Sequence, residues 1–254
     1  MSDPDRPLLG VLGGMGPLAT AEFLRRLVLE ADAVHDADHL PVAVWGDPRV
    51  PDRVGPILGR AGPGPVPALV AGIRRLETAG ATFLAMPCNT VHHWLDELRA
   101  ATPLPFVPIA DAVADALGEP PAPGAAALLL ATRATLASGF YRAPLARRGW
   151  TAADPHDDVL ERDVLPAIAD VKRGRLGAAR ERMLRGLQAC ARRALRPHDV
   201  AVLACTELST LGLDEAGVDG LHLLDATVAL ARACLRHAQV PLRAAAGPAR
   251  GADR

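Results

Sequence analysis

Short apolar runs and longer stretches of helical periodicity alternate along the whole chain. The runs at 8–12, 40–45, 82–86, 106–109, 125–130, 200–204 and 221–224 are short enough for strands, and segments such as 17–34, 66–79 and 176–195 have helical spacing. Strands that are apolar on both faces belong in parallel sheets wrapped by helices, so the expected fold class is α/β. In open sheets of this kind ligands collect beyond the carboxyl ends of the strands. Four segments fall there: Gly13-Gly14-Met15-Gly16, the turn around Cys88, Thr132 to Thr135, and the turn around Cys205.

The alternation is also duplicated. Each half reads strand, turn, helix and then a later strand, ending in Met86-Pro87-Cys88-Asn89-Thr90 in one half and Leu203-Ala204-Cys205-Thr206-Glu207 in the other. Two similar α/β lobes facing each other across a cleft would each contribute one cysteine. A thiolate and a thiol on opposite sides of one carbon can remove a proton from one face and return it to the other. The boundary is expected near 112–122, where Pro120, Pro121 and Pro123 make a stiff connector. Residues 1–112 together with 225–254 then form an N-terminal lobe, the last helix returning to it, and residues 113–224 form a C-terminal lobe.

Composition narrows the function classes. With 254 residues, half of them hydrophobic, the chain has room for one large or two modest cores. A net charge of −1 without a basic block, and only 3% aromatic residues, argue against nucleic acid as a partner. Residues 1–7 are polar and no apolar run approaches membrane-spanning length, so a cytoplasmic protein without a membrane partner is expected. Four cysteines in such a chain do not suggest a disulfide framework. Cys190 shares a helical stripe with Met183, Leu187 and Ala194, and Cys234 lies among Leu230, Ala231 and Leu235, the pattern of buried small hydrophobes.

The segments beginning at Gly10 (Gly-Val-Leu-Gly-Gly-Met-Gly-Pro-Leu-Ala-Thr), Asp47 (Asp-Pro-Arg-Val-Pro-Asp-Arg), Met86 (Met-Pro-Cys-Asn-Thr-Val-His), Ala131 (Ala-Thr-Arg-Ala-Thr), Val171 (Val-Lys-Arg-Gly) and Cys205 (Cys-Thr-Glu) occur in that order. Together they resemble the aspartate/glutamate racemase family, on its aspartate side, over nearly the whole chain. The resemblance implies two pseudo-symmetric lobes, an active site in the cleft between them, and commonly a homodimer. It also implies racemisation of a small-molecule amino acid with no cofactor, neither pyridoxal phosphate nor metal. By the family pattern Cys88 and Cys205 are the catalytic pair, Cys205 serving the L form and Cys88 the D form. Met15, Arg53, Asn89, Thr90, Thr135, Lys172, Thr206 and Glu207 are the substrate-binding candidates. Two positions depart from the pattern: Ala204 and Ala134 stand where glycine is usual, each adding a methyl near the cleft.

The chemistry of these residue types agrees with that assignment, and each also has an ordinary structural explanation. Arg53 offers a planar fork suited to a carboxylate, and Lys172 is the only lysine among 28 Lys and Arg residues, so the two together favour a dicarboxylic amino acid. Either is equally compatible with a solvated surface. Pro-Cys-Asn-Thr also fits a helix entry capped by Asn89 or Thr90, with Cys88 buried. Glu207 suits a supporting acceptor better than a base. His92 and His93 lack a second ligand pair, so no metal is expected; His92 fits a hydrogen-bonded core histidine and His93 an exposed one. The segment 46–65 reads as a long loop. Three alternatives stand beside racemisation of an acidic amino acid. One is isomerisation or decarboxylation of a related diacid on the same scaffold. Another is a dinucleotide-binding oxidoreductase built on the Gly14 turn with Asp47 as ribose acceptor. The third is an inactive amino-acid binding protein.

Overall fold

A computed structural model describes residues 6–193, 199–213 and 221–244, with the side chain of Arg193 excepted. Ala194 and Leu195, and the expected lobe termini 1–5 and 245–254, lie outside the described residues. All seven expected apolar runs carry strands: β1 (Leu9–Gly13), β2 (Val42–Gly46), β3 (Phe83–Ala85), β4 (Phe106–Val107), β5 (Ala126–Leu130), β7 (Val200–Leu203) and β8 (His222–Asp225). An eighth, β6 (Thr151–Ala153), has no apolar run behind it. It holds its place through backbone pairing with β5.

The strands form two four-stranded parallel sheets with the same order, β2-β1-β3-β4 and β6-β5-β7-β8. Strand order reverses at the central pairs, β1/β3 and β5/β7, which is where an open parallel sheet forms its ligand crevice. The duplication seen in the sequence is thus a duplication of topology.

Helices cover both faces. In the first half these are α1 (Pro17–Glu30), α2 (Val54–Ile57), α3 (Val66–Thr78), α4 (Leu95–Ala100) and α5 (Ile109–Leu117). The second half has α6 (Arg133–Ser138), α7 (Arg142–Arg147), α8 (Asp157–Val159), α9 (Leu165–Lys172), α10 (Leu176–Arg193) and a final helix, Ala226–His237. The long loop expected at 46–65 contains α2. Residues 109–117, divided in the sequence analysis between a strand end and the approach to the connector, form α5 and bury Ile109, Ala110, Ala112 and Val113. The final helix is capped by Asp225, whose carboxylate accepts from the Thr227 amide at 2.7 Å, and it packs against α1 and α5. No helix among the described residues is long and apolar enough to cross a membrane.

Side-chain alternation carries the cysteines to equivalent places. Phe83 and Ala85 face a central core shared with Val202, Ala204, α1, α5 and the final helix. Leu84, Met86 and Cys88 face the opposite side, with Ile73, Leu76 and Trp94. In the second sheet Val202 and Ala204 face the central core, whereas Ala201, Leu203 and Cys205 join Met183, Leu187 and Cys190 on the far side. The period of two therefore places Cys88 and Cys205 on corresponding faces of their sheets. Cys190 and Cys234 are buried as expected.

Two local constraints hold the first cysteine's surroundings. Gly14 sits at φ +89°, and a Cβ there would lie 2.5 Å from the Asp47 amide nitrogen, so the β1–α1 turn accepts only glycine. Beyond β3, the Ile109 amide donates to His92 Nε2 at 3.1 Å. Nδ1 therefore carries the ring proton and donates to the Cys88 carbonyl at 2.9 Å. His92 clamps the cysteine turn to the start of α5, and burial lowers its pKa from 6.5 to about 4. Both ring nitrogens are committed to the fold, which leaves none for a metal.

Two outcomes follow from these constraints. Gly14→Ala should lower stability by about 2 kcal/mol or more, through the positive φ and the backbone clash, read as a drop in thermal midpoint; an unchanged midpoint would remove the constraint. For His92, the folded pKa lies below the unfolded value, so the stability it contributes is complete above about pH 6.5 and is lost as pH falls to about 4. The shift corresponds to about 3 kcal/mol across that window. His92→Gln should flatten this part of the stability profile in denaturant titrations, and a profile parallel to that of the parent chain would assign the acid sensitivity elsewhere.

Candidate active site

The first arm of the site begins where β3 stops. The Cys88 amide folds back onto the Met86 carbonyl at 2.8 Å, and Asn89 leads into a tight turn at Thr90–Trp94. Asn89 stands at the N-cap of this 3-10 helix and Cys88 is buried, as the helix-entry alternative has it, but the Asn89 side chain makes no cap hydrogen bond. Asn89 and Thr90 both point to the other lobe. The Thr90 hydroxyl lies 3.1 Å from that of Thr135 and 3.3 Å from that of Thr132, whose oxygen caps α6 through the Thr135 amide. The Asn89 carbonyl oxygen accepts from the Tyr141 hydroxyl at 2.5 Å. The Asn89 amide nitrogen is buried without a partner, a state that costs about 1–3 kcal/mol until a ligand satisfies it.

The second arm is its counterpart at the end of β7. Cys205 Sγ donates to Glu207 Oε2 at 3.1 Å, and Glu207 Oε1 lies 3.6 Å from Lys172 Nζ at the end of α9. The Thr206 hydroxyl donates to the Pro87 carbonyl at 3.2 Å, joining the residues adjacent to the two cysteines. Its proton is thereby committed to the protein, whereas the Asn89 amide nitrogen has no partner.

A cavity of about 460 Å³ opens above these arms, lined by Gly14, Gly16, Pro17, Arg53, Lys172 and Glu207 among others. Arg53 spends one guanidinium nitrogen on the carbonyls of Val50 and Pro51, at 3.3 and 3.4 Å, while its buried Nε has no partner. Met15 is buried beside Met86 and Cys88 in the hydrophobic cluster, and its glycine neighbours form the cavity wall. Glu207 stands between the cavity and the Cys205 thiol. Ala204 and Ala134 are fully buried and absent from that wall, so the added methyl of Ala204 belongs to the central core and does not narrow the cleft.

The electrostatics of the two thiols differ. Burial raises both pKa values, as it does for any group whose charged form loses water. At Cys88 the positive charges of Arg53 and Lys172 oppose that shift, while the Glu207 carboxylate adds to it. Cys205 is raised well above the usual thiol range, since the Glu207 carboxylate adds to burial both by its charge and by accepting the thiol proton. Cys205 is thus the more strongly raised of the two.

Arg49 pairs with Asp47 at 2.9 Å on the surface, which takes up the carboxylate proposed as a ribose acceptor. His93 is exposed, as expected. Of the expected site residues, Arg53, Lys172 and Glu207 line the cavity, whereas Cys88, Asn89, Thr90, Thr135, Cys205 and Thr206 are buried off its wall and are linked by the contacts above. The structure adds Thr132 and Tyr141. Thr132 stood in a recognised turn without a role, and Tyr141, the sole tyrosine, carried a signal only in its rarity.

The profile of the Asp/Glu/hydantoin racemase family matches residues 12–234. A structure of the aspartate racemase of Picrophilus torridus is 30% identical, covering 93% of this chain and 96% of its own, with a TM-score of 0.77. The broad specificity amino-acid racemase RacX of Bacillus subtilis is 26% identical over 89% of this chain and 95% of its own. At 20% identity, the glutamate racemase of Campylobacter jejuni shares the fold, with a TM-score of 0.60 over 94% of this chain and 88% of its own. With a family match spanning both sheets and both cysteine turns, the chain belongs to the Asp/Glu/hydantoin racemase family of amino-acid racemases.

Proposed function

We propose that this protein racemises an acidic amino acid, aspartate in preference to glutamate, without a cofactor, using Cys88 and Cys205 as a two-base pair. The observation that carries the proposal is the placement of two buried cysteines at equivalent strand ends of two equivalent sheets, tied together through Thr206 and Pro87. The name of the Picrophilus torridus relative favours aspartate, while that of the Bacillus subtilis relative favours a wider range of amino acids. A cleft carrying Arg53 and Lys172 favours a dicarboxylate.

In this mechanism the substrate α-carboxylate meets the unpaired Asn89 amide, with Thr90 and Thr135 beside it. Hydrogen bonds to that carboxylate stabilise the negative charge that builds up as the α-carbon loses its proton. Starting from the D form, the Cys88 thiolate accepts the α-proton and the Cys205 thiol delivers its own to the opposite face, giving the L form. The reverse reaction begins at Cys205. Glu207 holds the Cys205 proton in place between turnovers, and Arg53 receives the side-chain carboxylate. The lobes are proposed as 1–112 with 225–254 and 113–224. A cytoplasmic homodimer is also proposed, supported by the apolar side chains of Leu18, Val28 and Leu29 exposed on α1.

Incubation with L- or D-aspartate in deuterated water, followed by NMR and chiral analysis, tests the reaction. We expect loss of the α-proton together with appearance of the opposite enantiomer, at a rate that rises with pH as one thiol ionises and falls once both have. No exchange with aspartate, glutamate or close analogues would overturn the proposal. Cys88→Ala and Cys205→Ala should each lower net racemisation by at least about a hundredfold, and full activity in either would exclude the two-base scheme. Lys172→Ala should erode the preference for aspartate over alanine by roughly tenfold; an intact preference would remove Lys172 from substrate selection.

A further inference from the structure

Tyr141 belongs to none of the motifs that marked the cysteine turns, yet its hydroxyl makes one of the shortest contacts in the cleft. It is 1% exposed and donates at 2.5 Å to Asn89 Oδ1, across the two lobes. The segment that carries it is seated independently, because Phe140 stacks on the clamped His92 ring at a centroid distance of 5.7 Å. A phenol has a single proton, so the one Tyr141 gives to Asn89 is not available to a substrate.

An asparagine amide is close to symmetrical in shape, and turning it over exchanges a pair of donors for an acceptor. At Asn89 the choice is decisive, since its nitrogen is buried without a partner beside Cys88. We propose that Tyr141 is a positioning residue: its hydroxyl fixes Asn89 Oδ1, so that both N–H bonds of the amide are held ready for the α-carboxylate of the amino acid. The identity of that ligand rests on the racemase function proposed above. The orientation of Asn89 by Tyr141 does not. Burial, together with the nearby Cys205 and Asp225, holds the phenol protonated, which suits a permanent donor.

Tyr141→Phe keeps the ring and removes the donor. With the amino acid that the parent chain racemises best, it should lower kcat/KM by roughly tenfold to a hundredfold, the order expected from a misplaced contact. Asn89→Ala should lower it at least as much, and the double variant should be no worse than Asn89→Ala alone. Independent losses that multiply in the double variant would overturn the proposal. Because the chain has one tyrosine, biosynthetic 3-fluorotyrosine labelling places a single reporter at this site. Its 19F resonance in the ligand-free protein should move in Asn89→Ala, and an unmoved resonance would refute the contact even if no racemase activity were found. Should Tyr141→Phe fail to fold, this measurement still decides the question, since it needs only the parent ring and the Asn89 variant.

Discussion

The turns after the central strands β3 and β7 meet where the Thr206 hydroxyl donates to the Pro87 carbonyl. Parallel strands bring their carboxyl ends to one side, and in each sheet the crevice opens where the order reverses. Pressing two such crevices together produces a chamber that neither sheet makes alone. Donors from one lobe then find acceptors on the other: Thr90 meets Thr135, and Tyr141 meets Asn89. The threonine and tyrosine hydroxyls between the halves are satisfied by this bonding, whereas the Asn89 amide nitrogen and Arg53 Nε are buried without a partner.

Near-identical backbone settings do not produce identical thiols. Each cysteine is buried at the end of an inner strand, so dehydration acts on both in the same direction. The Glu207 carboxylate raises both and Lys172 lowers both; what distinguishes them is that Arg53 also opposes dehydration at Cys88, whereas Glu207 accepts the Cys205 proton directly. In the two-base scheme proposed above, that difference would let one residue type supply both an acid and a base.

The sequence exposed the α/β class and the central strands because strands buried on both faces must be apolar throughout, and such runs are visible without any partner. Three-residue β6 was invisible: Thr151–Ala153 offers little to bury and depends on β5 for its conformation. The cysteines and their adjacent polar residues were legible from the repeated context. Tyr141 was not, because its function arises from a hydrogen bond to a residue far along the chain, and no local pattern records such a contact. Thr206 shows a second limit. Its position at the cleft was readable, but the commitment of its hydroxyl to Pro87 depends on how the lobes approach each other.

The central core has a thermodynamic consequence. Phe83 and Ala85 from one sheet, Val202 and Ala204 from the other, and residues of α1, α5 and the final helix form one continuous apolar body. Opening either sheet alone would expose surface that the other also buries, so the two halves are linked in a single cooperative unit despite their separate sheets. A ligand bound between the lobes would raise the free energy of opening for strands far from the cleft, including edge strands that never touch it. Amide-exchange protection at β8 would then report occupancy of a chamber formed by the loops after other strands.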